Sequence, residues 1–376
     1  MTERIFKFLA EQRPDTPCLV VDLDAVEENY RRLRGALPLA KIYYAVKANP
    51  APQILARLRK LGACFDAASI YEIEQCLNAG VRPDRLSFGN TIKKEAHIAR
   101  AFEYGLDLFA FDTETELEKL ARAAPGARVY CRFYMTGDGA DWPLSEKFGC
   151  DSTQVPYLLG RARALGLVPY GVSFHVGSQQ RDLAQWDIAL EKSVTIFKAA
   201  AGQGIELKMV NVGGGFPASY RVTGASVERY SDAIMTGMTR HFGNHLPVMI
   251  AEPGRYIAGD AGVIQTEIVL IANKSRGGDR RWVYLDIGKF GGLPEVMGEA
   301  IQYRFRTPYN GATGGPVVIA GPTCDEVDVL YDRAAYELPL DLKVGDRIEI
   351  LSTGAYTASY CSVGFNGFPP LREYYI

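Results

Sequence analysis

The sequence predicts an α/β fold in which a (β/α)8 TIM-type barrel is followed by a C-terminal all-β domain. Eight apolar, strand-prone runs alternate with amphipathic helical patterns over roughly 250 residues, which is the usual length of such a barrel. Polar residues cluster where these runs end, and the alternation stops near Ala258. The strands of a parallel barrel are buried on both faces, so they form continuous apolar runs.

The elements follow in a regular order after a short leader, Met1 to Pro17, and a first strand that enters an amphipathic helix. The predicted barrel strands are Lys41–Asn49, Cys64–Ser69, Arg85–Asn90, Leu108–Asp112, Arg128–Tyr134, Pro169–Gly177, Met209–Phe216 and Pro247–Tyr256. The helical patterns between them are Pro52–Leu61, Tyr71–Ala79, Lys93–Tyr104, Glu114–Ala123, Gln154–Leu165, Leu183–Gly202 and Ser226–His241.

An open, doubly wound sheet is the competing arrangement for this alternation. Against it, no G-x-G-x-x-G motif follows the first strand. In a barrel, by contrast, the C-terminal strand ends converge on one face. The polar residues at these ends are Lys47, Asp66, Asn90, Asp112, Arg132, His175, Gly213 to Gly215 and Glu252. We therefore predict a barrel domain over residues 22–257.

Beyond Ala258 the sequence changes to short strands between turns rich in Gly, Pro and Asp. The predicted strands are Val263–Ile271, Trp282–Asp286, Val317–Ala320 and Asp346–Leu351. Residues 1–21 and 258–376 are predicted to form this β domain.

Composition narrows the class of function. The chain has 376 residues, of which 47% are hydrophobic and 23% charged, and a net charge of -2. This balance gives no electrostatic case for binding nucleic acid or an anionic membrane, so small-molecule chemistry is favoured. Met1 to Glu11 shows no charged-then-apolar targeting signal, no apolar run is long enough to span a membrane, and we expect a cytoplasmic protein.

Cysteine and histidine spacing gives no metal site. Seven cysteines form no C-x-x-C pair, so neither a disulfide framework nor a zinc knuckle is indicated. His241 and His245 have helical i, i+4 spacing but lack the glutamate of H-E-x-x-H. We predict no bound metal.

Four motifs carry chemistry, although each has an ordinary structural explanation. Lys47 lies at the end of the first run, His175 ends the sixth run, Gly213–Gly215 can bring backbone N–H groups to an anion, and Glu252 stands near Arg255. A surface lysine, a core histidine, a glycine turn and a salt bridge would explain them singly. Together they suit pyridoxal phosphate, which needs a lysine, a phosphate site, a ring partner and a counter-ion.

The chain resembles the fold type III pyridoxal-phosphate decarboxylases, the family of ornithine, lysine and diaminopimelate decarboxylases, over nearly its whole length. The matching motifs, in family order, are Tyr44-Ala45-Val46-Lys47, Phe174-His175-Val176-Gly177-Ser178, Gly213-Gly214-Gly215-Phe216-Pro217, Glu252-Pro253-Gly254-Arg255, Cys324-Asp325 and Gly354-Ala355-Tyr356. The resemblance implies an alanine racemase-like fold and pyridoxal 5'-phosphate as cofactor.

The resemblance also implies roles for these residues. Lys47 would bond the cofactor's aldehyde, His175 would stack on its ring, and Glu252 would pair with the pyridine nitrogen and keep it protonated. The implied phosphate-binding residues are Ser178, Gly215, Arg255 and Tyr356, and further implied cofactor-binding positions are Gly213, Gly214 and Gly254. The positions that would support the cofactor indirectly are Asp66, Glu72 and Arg132. A racemase of this fold class would typically place arginine at the pyridine nitrogen.

The β domain carries the loop Gly321–Asp328, which resembles the family's G-P-x-C-D loop. In the family this loop reaches into the partner subunit, so a homodimer with shared active sites is implied. Cys324 would return a proton to Cα. Asp286 and Asp325 would bind the far ammonium of the substrate, since two carboxylates match one cation.

Substrate choice rests on the residues around these carboxylates. Diaminopimelate decarboxylases generally carry glutamate and then serine after the cysteine, so Asp325 favours a basic amino acid. The stretch from Asp286 to Leu293 resembles bacterial ornithine or ornithine/lysine decarboxylases. We predict conversion of L-ornithine to putrescine and carbon dioxide. The alternatives are a lysine or dual lysine/ornithine decarboxylase, a diaminopimelate or arginine decarboxylase, an amino-acid racemase and a non-catalytic regulatory homologue.

Overall fold

The computed structural model describes residues 3–142, 144, 146–274 and 280–376. The chain divides into two compact units. The barrel unit comprises Glu27–Pro217 and Gly224–Gly254, and the β unit comprises Met1–Val26, Ala218–Thr223 and Arg255–Ile376. The segment Ala218–Thr223 thus belongs with the β unit, although it lies inside the range 22–257 that the sequence assigns to the barrel.

The barrel unit is a closed barrel of eight parallel strands, as predicted. The strands are Ala40–Ala45, Cys64–Ala67, Leu86–Phe88, Leu108–Phe111, Arg128–Arg132, Val168–Ser173, Met209–Asn211 and Val248–Ala251. The eighth strand pairs with the first, with Ala251 opposite Ile42, and this pairing closes the barrel. All eight are shorter than the apolar runs that predict them, because the runs continue into the loops that follow each strand.

Helices follow the strands in the predicted alternation. They are Leu23–Ala36, Pro52–Lys60, Ile70–Asn78, Glu95–Glu103, Glu114–Ala123, Val155–Ala164, Ala184–Gly202 and Val227–Phe242. Two of these helices begin at side-chain caps: the Ser69 hydroxyl accepts the Glu72 N–H, and the Thr113 hydroxyl accepts the Glu116 N–H. A short antiparallel pair, Ala140–Trp142 with Ser178–Gln180, lies outside the barrel sheet.

The barrel interior is filled by side chains from six strands rather than left as a channel. The buried residues of this cluster are Tyr43, Cys64, Leu108, Ala110, Tyr130, Met209 and Ile250. These residues form the apolar core of the barrel, and the polar residues lie beyond it at the strand ends.

The β unit contains a sheet of eight strands. They are Cys18–Val21, Gly262–Ala272, Arg281–Leu285, Arg304–Arg306, Gly314–Ala320, Val329–Pro339, Arg347–Leu351 and Arg372–Tyr375. The all-β prediction is confirmed, but Arg304–Arg306, Val329–Pro339 and Arg372–Tyr375 were not predicted. Within Met1 to Pro17, for which no secondary structure was predicted, Glu3–Gln12 is a helix with Ile5 and Leu9 buried against strand residues.

No helix in the described ranges is long and apolar enough to cross a membrane.

Candidate active site

Lys47 lies just beyond the first barrel strand rather than within it. The strand ends at Ala45, and Val46–Ala48 forms one turn of 3-10 helix in which Lys47 alone is exposed. Asn49 fixes the end of this turn, because its carbonyl accepts the Tyr44 hydroxyl at 2.9 Å and its side chain accepts the Ala51 N–H at 3.1 Å. The lysine is therefore presented by a braced turn.

A cluster of carboxyl groups surrounds this turn. Burial raises the pKa of Asp66 well above its usual value, the Glu252 carboxylate raises it further, and a bond from the Ser87 hydroxyl at 2.6 Å and the charge of Lys47 oppose the rise. Burial also raises the pKa of Glu72, against the Ala68 N–H and Lys47. These mutual effects place Lys47, Asp66, Glu72 and Glu252 near one another at the barrel mouth.

The backbone that follows the third barrel strand lies so close to the Asp66 carboxyl group that it requires a glycine there. A Cβ atom at Gly89 would lie 2.1 Å from Asp66 Oδ1, so a larger residue there would displace the carboxyl group. The sequence analysis did not identify Gly89, because a single glycine after a strand carries no distinguishing signal.

His175 and the glycine loop are in direct proximity. The His175 ring is half-buried, and its Nδ1 accepts the Gly177 N–H at 3.0 Å. A Cβ atom at Gly214 would lie 2.8 Å from the Glu252 carbonyl oxygen and 3.2 Å from His175 Nε2. Gly213 has φ of 68°, and a Cβ atom there would lie 2.2 Å from the Phe174 carbonyl oxygen. Only glycine lets the backbone pass through this space.

The remaining barrel residues of the predicted site occupy nearby loops and strand ends. Arg132 is the last residue of the fifth strand, and its guanidinium lies 5.7 Å from the centre of the Phe148 ring. Ser178 begins the short strand Ser178–Gln180, two residues after Val176. Gly215, with φ of 101°, and Gly254 complete the glycine positions.

In the β unit, Arg255 and Tyr356 lie together. The guanidinium carbon of Arg255 is 4.8 Å from the centre of the Tyr356 ring. Arg255 is buried, and it donates to the two carboxylate oxygens of Glu295 at 2.7 and 2.6 Å and to the Tyr220 hydroxyl at 2.8 Å. The sequence analysis missed Glu295 and Tyr220, because neither belongs to a recognisable motif.

Asp286 is held by the neighbouring strand Gly262–Ala272. Its Oδ1 accepts the Thr266 hydroxyl and, at 3.0 Å, the Glu267 N–H, while its own N–H donates to the Glu267 carbonyl at 3.0 Å. Asp286 lines a cavity of about 140 Å³. Other residues that line this cavity are Phe290, Thr323, Phe365 and Phe368.

Cys324 and Asp325 are exposed on the loop that the sequence singled out. The loop is organised by buried Asp328, whose side chain accepts the Thr323 hydroxyl at 2.7 Å and the Lys289 N–H at 2.7 Å. The Cys324 N–H donates to Asn366 Oδ1 at 2.9 Å. The sequence analysis included Asp328 in this motif but gave it no role.

One histidine of the pair that was considered for metal binding contacts an aspartate. His241 Nε2 lies 3.0 Å from Asp187 Oδ1 at the end of the helix Val227–Phe242. Among the described residues, no group of three or more His, Cys, Asp or Glu side chains could hold a metal ion.

The residues of the barrel mouth fit pyridoxal phosphate. An exposed lysine beside carboxylates can bond an aldehyde, and the Glu252 carboxylate can face a protonated ring nitrogen. Gly214 and Gly215 have no Cβ atom, so an anion can approach the backbone of the glycine loop closely.

Comparison with known proteins gives the family. The family described as pyridoxal-dependent decarboxylase, pyridoxal binding domain, matches residues 23–259. The lysine/ornithine decarboxylase of Selenomonas ruminantium is 36% identical over 371 residues, which cover 98% of this chain and 91% of the relative.

Two solved structures are similar over the whole chain. A mutant of SrLDC in complex with PLP has a TM-score of 0.90 at 34% identity and matches 100% of this chain and 95% of its own. The arginine decarboxylase of Paramecium bursaria Chlorella virus, bound to agmatine, has a TM-score of 0.89 at 28% identity and matches 100% of both chains. The chain therefore belongs to the pyridoxal-dependent decarboxylases, and pyridoxal 5'-phosphate is its cofactor.

Proposed function

We propose that the protein decarboxylates a basic L-amino acid, with L-ornithine converted to putrescine and carbon dioxide and L-lysine converted more slowly. The observation that carries this proposal is the fixed carboxylate of Asp286 beside Phe290 in the wall of a cavity. The names of the similar proteins support the substrate class, since they include a lysine/ornithine and an arginine decarboxylase.

In the barrel mouth, Lys47 would hold the cofactor covalently, His175 would pack against its ring, and Glu252 would pair with its pyridine nitrogen. When bound, the cofactor supplies a protonated ring that accepts the electrons left on Cα as carbon dioxide departs. The contribution of Glu252 is its negative charge, which stabilises the proton on the ring nitrogen. Asp66, Glu72 and Arg132 support this arrangement indirectly, through Lys47 and the surrounding strand ends.

The phosphate group is proposed to meet backbone N–H groups and side chains of several loops. These residues are Ser178, Gly215, Arg255 and Tyr356, and Gly213, Gly214 and Gly254 are proposed as further cofactor-binding positions. Glycine and a buried arginine suit this task, because close backbone approach and a fixed positive charge both favour a dianion. Glu295 holds the Arg255 guanidinium in one orientation.

The far end of the substrate is proposed to meet Asp286 and Asp325. A terminal ammonium between two carboxylates is favoured over a neutral or acidic end group. Asp286 presents a fixed carboxylate, since Thr266 and Glu267 both bond its Oδ1.

Cys324 is proposed to return a proton to the substrate's Cα after carbon dioxide has left. A thiol on an exposed loop can approach a reacting carbon from a partner subunit. We therefore propose a homodimer in which each active site combines Lys47 of one chain with Cys324 and Asp325 of the other.

A dual lysine/ornithine decarboxylase is the second candidate, because a relative that matches 98% of the chain carries that name. One methylene group changes discrimination by about 1–3 kcal/mol, or roughly 10–200-fold, so a site built for ornithine should still accept lysine. Diaminopimelate carries a carboxylate at its far end, which Asp325 should repel.

The test is carbon dioxide release from ornithine, lysine, arginine and diaminopimelate, compared as kcat/KM. We expect ornithine first and lysine second, and we expect Asp286→Asn to raise KM for both. Asp341→Asn, at an exposed position of the same unit, is the control and should leave KM unchanged. A preference for lysine would change the proposed substrate, and a preference for diaminopimelate would contradict the role of Asp325.

A further inference from the structure

Asn211 occupies the end of the seventh barrel strand, between the two strands that lead to His175 and Glu252. It lies opposite Ser173 of the sixth strand and Ile250 of the eighth. The residue is only 1% exposed, and it lies two residues before Gly213, the first residue of the glycine loop. None of the sequence motifs assigns it a task.

Asn211 bonds both neighbouring strand ends and the loop that follows its own strand. Its backbone carbonyl accepts the Phe174 N–H at 3.2 Å, next to His175. Its side-chain Oδ1 accepts the Gly213 N–H at 2.9 Å, and its Nδ2 donates to Glu252 Oε1. The Glu252 N–H in turn donates to the Gly213 carbonyl at 2.8 Å, which closes a small ring of bonds.

The asparagine side chain supplies the hydrogen-bond acceptor and the hydrogen-bond donor that this position needs. The Gly213 N–H requires an acceptor, while the Glu252 carboxylate requires a donor. An ionised aspartate could accept from Gly213 but could not donate to Glu252. Hydrogen bonds to a carboxylate are stronger than neutral ones, so the amide holds the side chain of Glu252 in one orientation.

We infer that Asn211 is a positioning residue that sets the Glu252 carboxylate and the glycine loop in register, so that one bound cofactor meets both. This inference rests on the proposed roles of Glu252 and the glycine loop. Asn211 acts through these residues and not by contact with the substrate.

Removal of the amide should weaken cofactor binding. In Asn211→Ala, the Gly213 N–H and Glu252 Oε1 both lose a partner in a buried setting, where an unmade bond is costly. We expect the cofactor dissociation constant to rise about tenfold, in line with the effect of supporting hydrogen bonds at other prosthetic sites.

Asn211→Asp separates the two functions, because it keeps the acceptor for Gly213 and removes the donor to Glu252. Two carboxyl groups in contact share one proton and repel each other once both are ionised. Asp66, Lys47, His175 and Tyr130 also face this cluster, in parent and variant alike. We therefore expect the cofactor dissociation constant of Asn211→Asp, divided by that of the parent, to increase with pH.

The experiment measures cofactor affinity and the visible absorbance spectrum of parent, Asn211→Ala and Asn211→Asp from pH 6 to 9, with melting temperatures of the cofactor-free forms. Asn310→Ala is the matched control, since exposed Asn310 also accepts a backbone N–H, from Thr307 at 3.1 Å. Its affinity should equal that of the parent. If Asn211→Ala does not fold, the isosteric aspartate variant still decides the question.

Affinities of both Asn211 variants within twofold of the parent at every pH would overturn the inference while leaving the proposed function intact. Failure of the proposed function would look different, because the parent itself would then bind cofactor without releasing carbon dioxide from any basic amino acid.

Discussion

The buried pair of Arg255 and Glu295 allows a sharp test of stability. Arg255 is 3% exposed and Glu295 is 5% exposed, and two parallel hydrogen bonds of 2.6 and 2.7 Å join them. Glu295→Gln keeps the shape of the side chain but removes its charge and turns one acceptor into a donor. The Arg255 cation would then stay buried, with an N–H group facing another N–H group.

The expected loss follows from the burial of the pair. Removing one partner of a buried ion pair costs about 3–5 kcal/mol, and we expect about 3 kcal/mol because the amide oxygen retains one bond. For a chain larger than 150 residues, each kcal/mol lowers the melting temperature by about 2 °C, so the expected decrease is about 6 °C.

The assay is thermal unfolding of the cofactor-free protein, with Glu95→Gln as control. Glu95 also forms a two-bond pair with an arginine, Arg122, at 3.0 and 2.9 Å, but both side chains are largely exposed. Its melting temperature should not change. If Arg255 binds the cofactor phosphate, saturating cofactor should reduce the deficit of Glu295→Gln, since a second anion would then face the guanidinium. A deficit no larger than that of Glu95→Gln would refute the reasoning.

Three further predictions concern the cofactor, the dimer and pH. Borohydride reduction of the holoenzyme should leave the cofactor on the peptide that contains Lys47; recovery of another labelled peptide by mass spectrometry would move the central assignment. Inactive Lys47→Ala and Cys324→Ala subunits, once mixed, should regain part of the activity, because a heterodimer contains one complete site; subunit exchange without recovery would argue against a shared site. Burial lowers the pKa of Lys93 from 10.5 to about 8 against the attraction of Glu116, so the unfolded chain binds more protons between these values. The stability contribution of neutral Lys93 is therefore present above pH 10.5 and lost as the pH falls through about 8. The melting temperature of the parent, relative to that of Lys93→Met, should rise as the pH increases from about 8 to 10.5. A melting-temperature difference that stays constant over this range would contradict the titration of a buried lysine.

The barrel could be predicted because its strands lie in continuous apolar runs of the sequence. These runs do not reveal where each strand ends, because residues after the strand are also buried. Tyr43 to Lys47 illustrates this, for the sequence continues without a break while the structure changes from strand to a 3-10 turn at Val46.

The β unit was harder to predict from local pattern. Val329–Pro339 carries exposed charged residues and irregular burial, so no strand period is visible in it. Arg372–Tyr375 pairs in parallel with Cys18–Val21, about the whole length of the chain away, and no local signal encodes such a partner. Glu3–Gln12 did carry a helical period, with Ile5 and Leu9 four residues apart on its buried side, but was assigned to a leader.

Residues proposed to touch the cofactor were found from the sequence, whereas residues that hold them were not. Lys47, His175 and Glu252 stand in motifs whose chemistry is readable from residue type and order. Asn211 and Glu295 act only through a bonded neighbour, and that neighbour becomes known only once the strands are placed side by side.

Barrel closure explains why the proposed site can form at all. Glu252 follows the eighth strand and Asp66 follows the second, yet the Glu252 carboxylate raises the pKa of Asp66. The contact between the eighth and first strands, with Ala251 opposite Ile42, brings the end of the barrel sequence back to its beginning. The sixth, seventh and eighth strands then place His175, the glycine loop and Glu252 in succession around the mouth, next to Lys47 after the first strand. An open sheet with the same strand order would leave Glu252 and Lys47 at opposite edges, and no single cofactor could meet both.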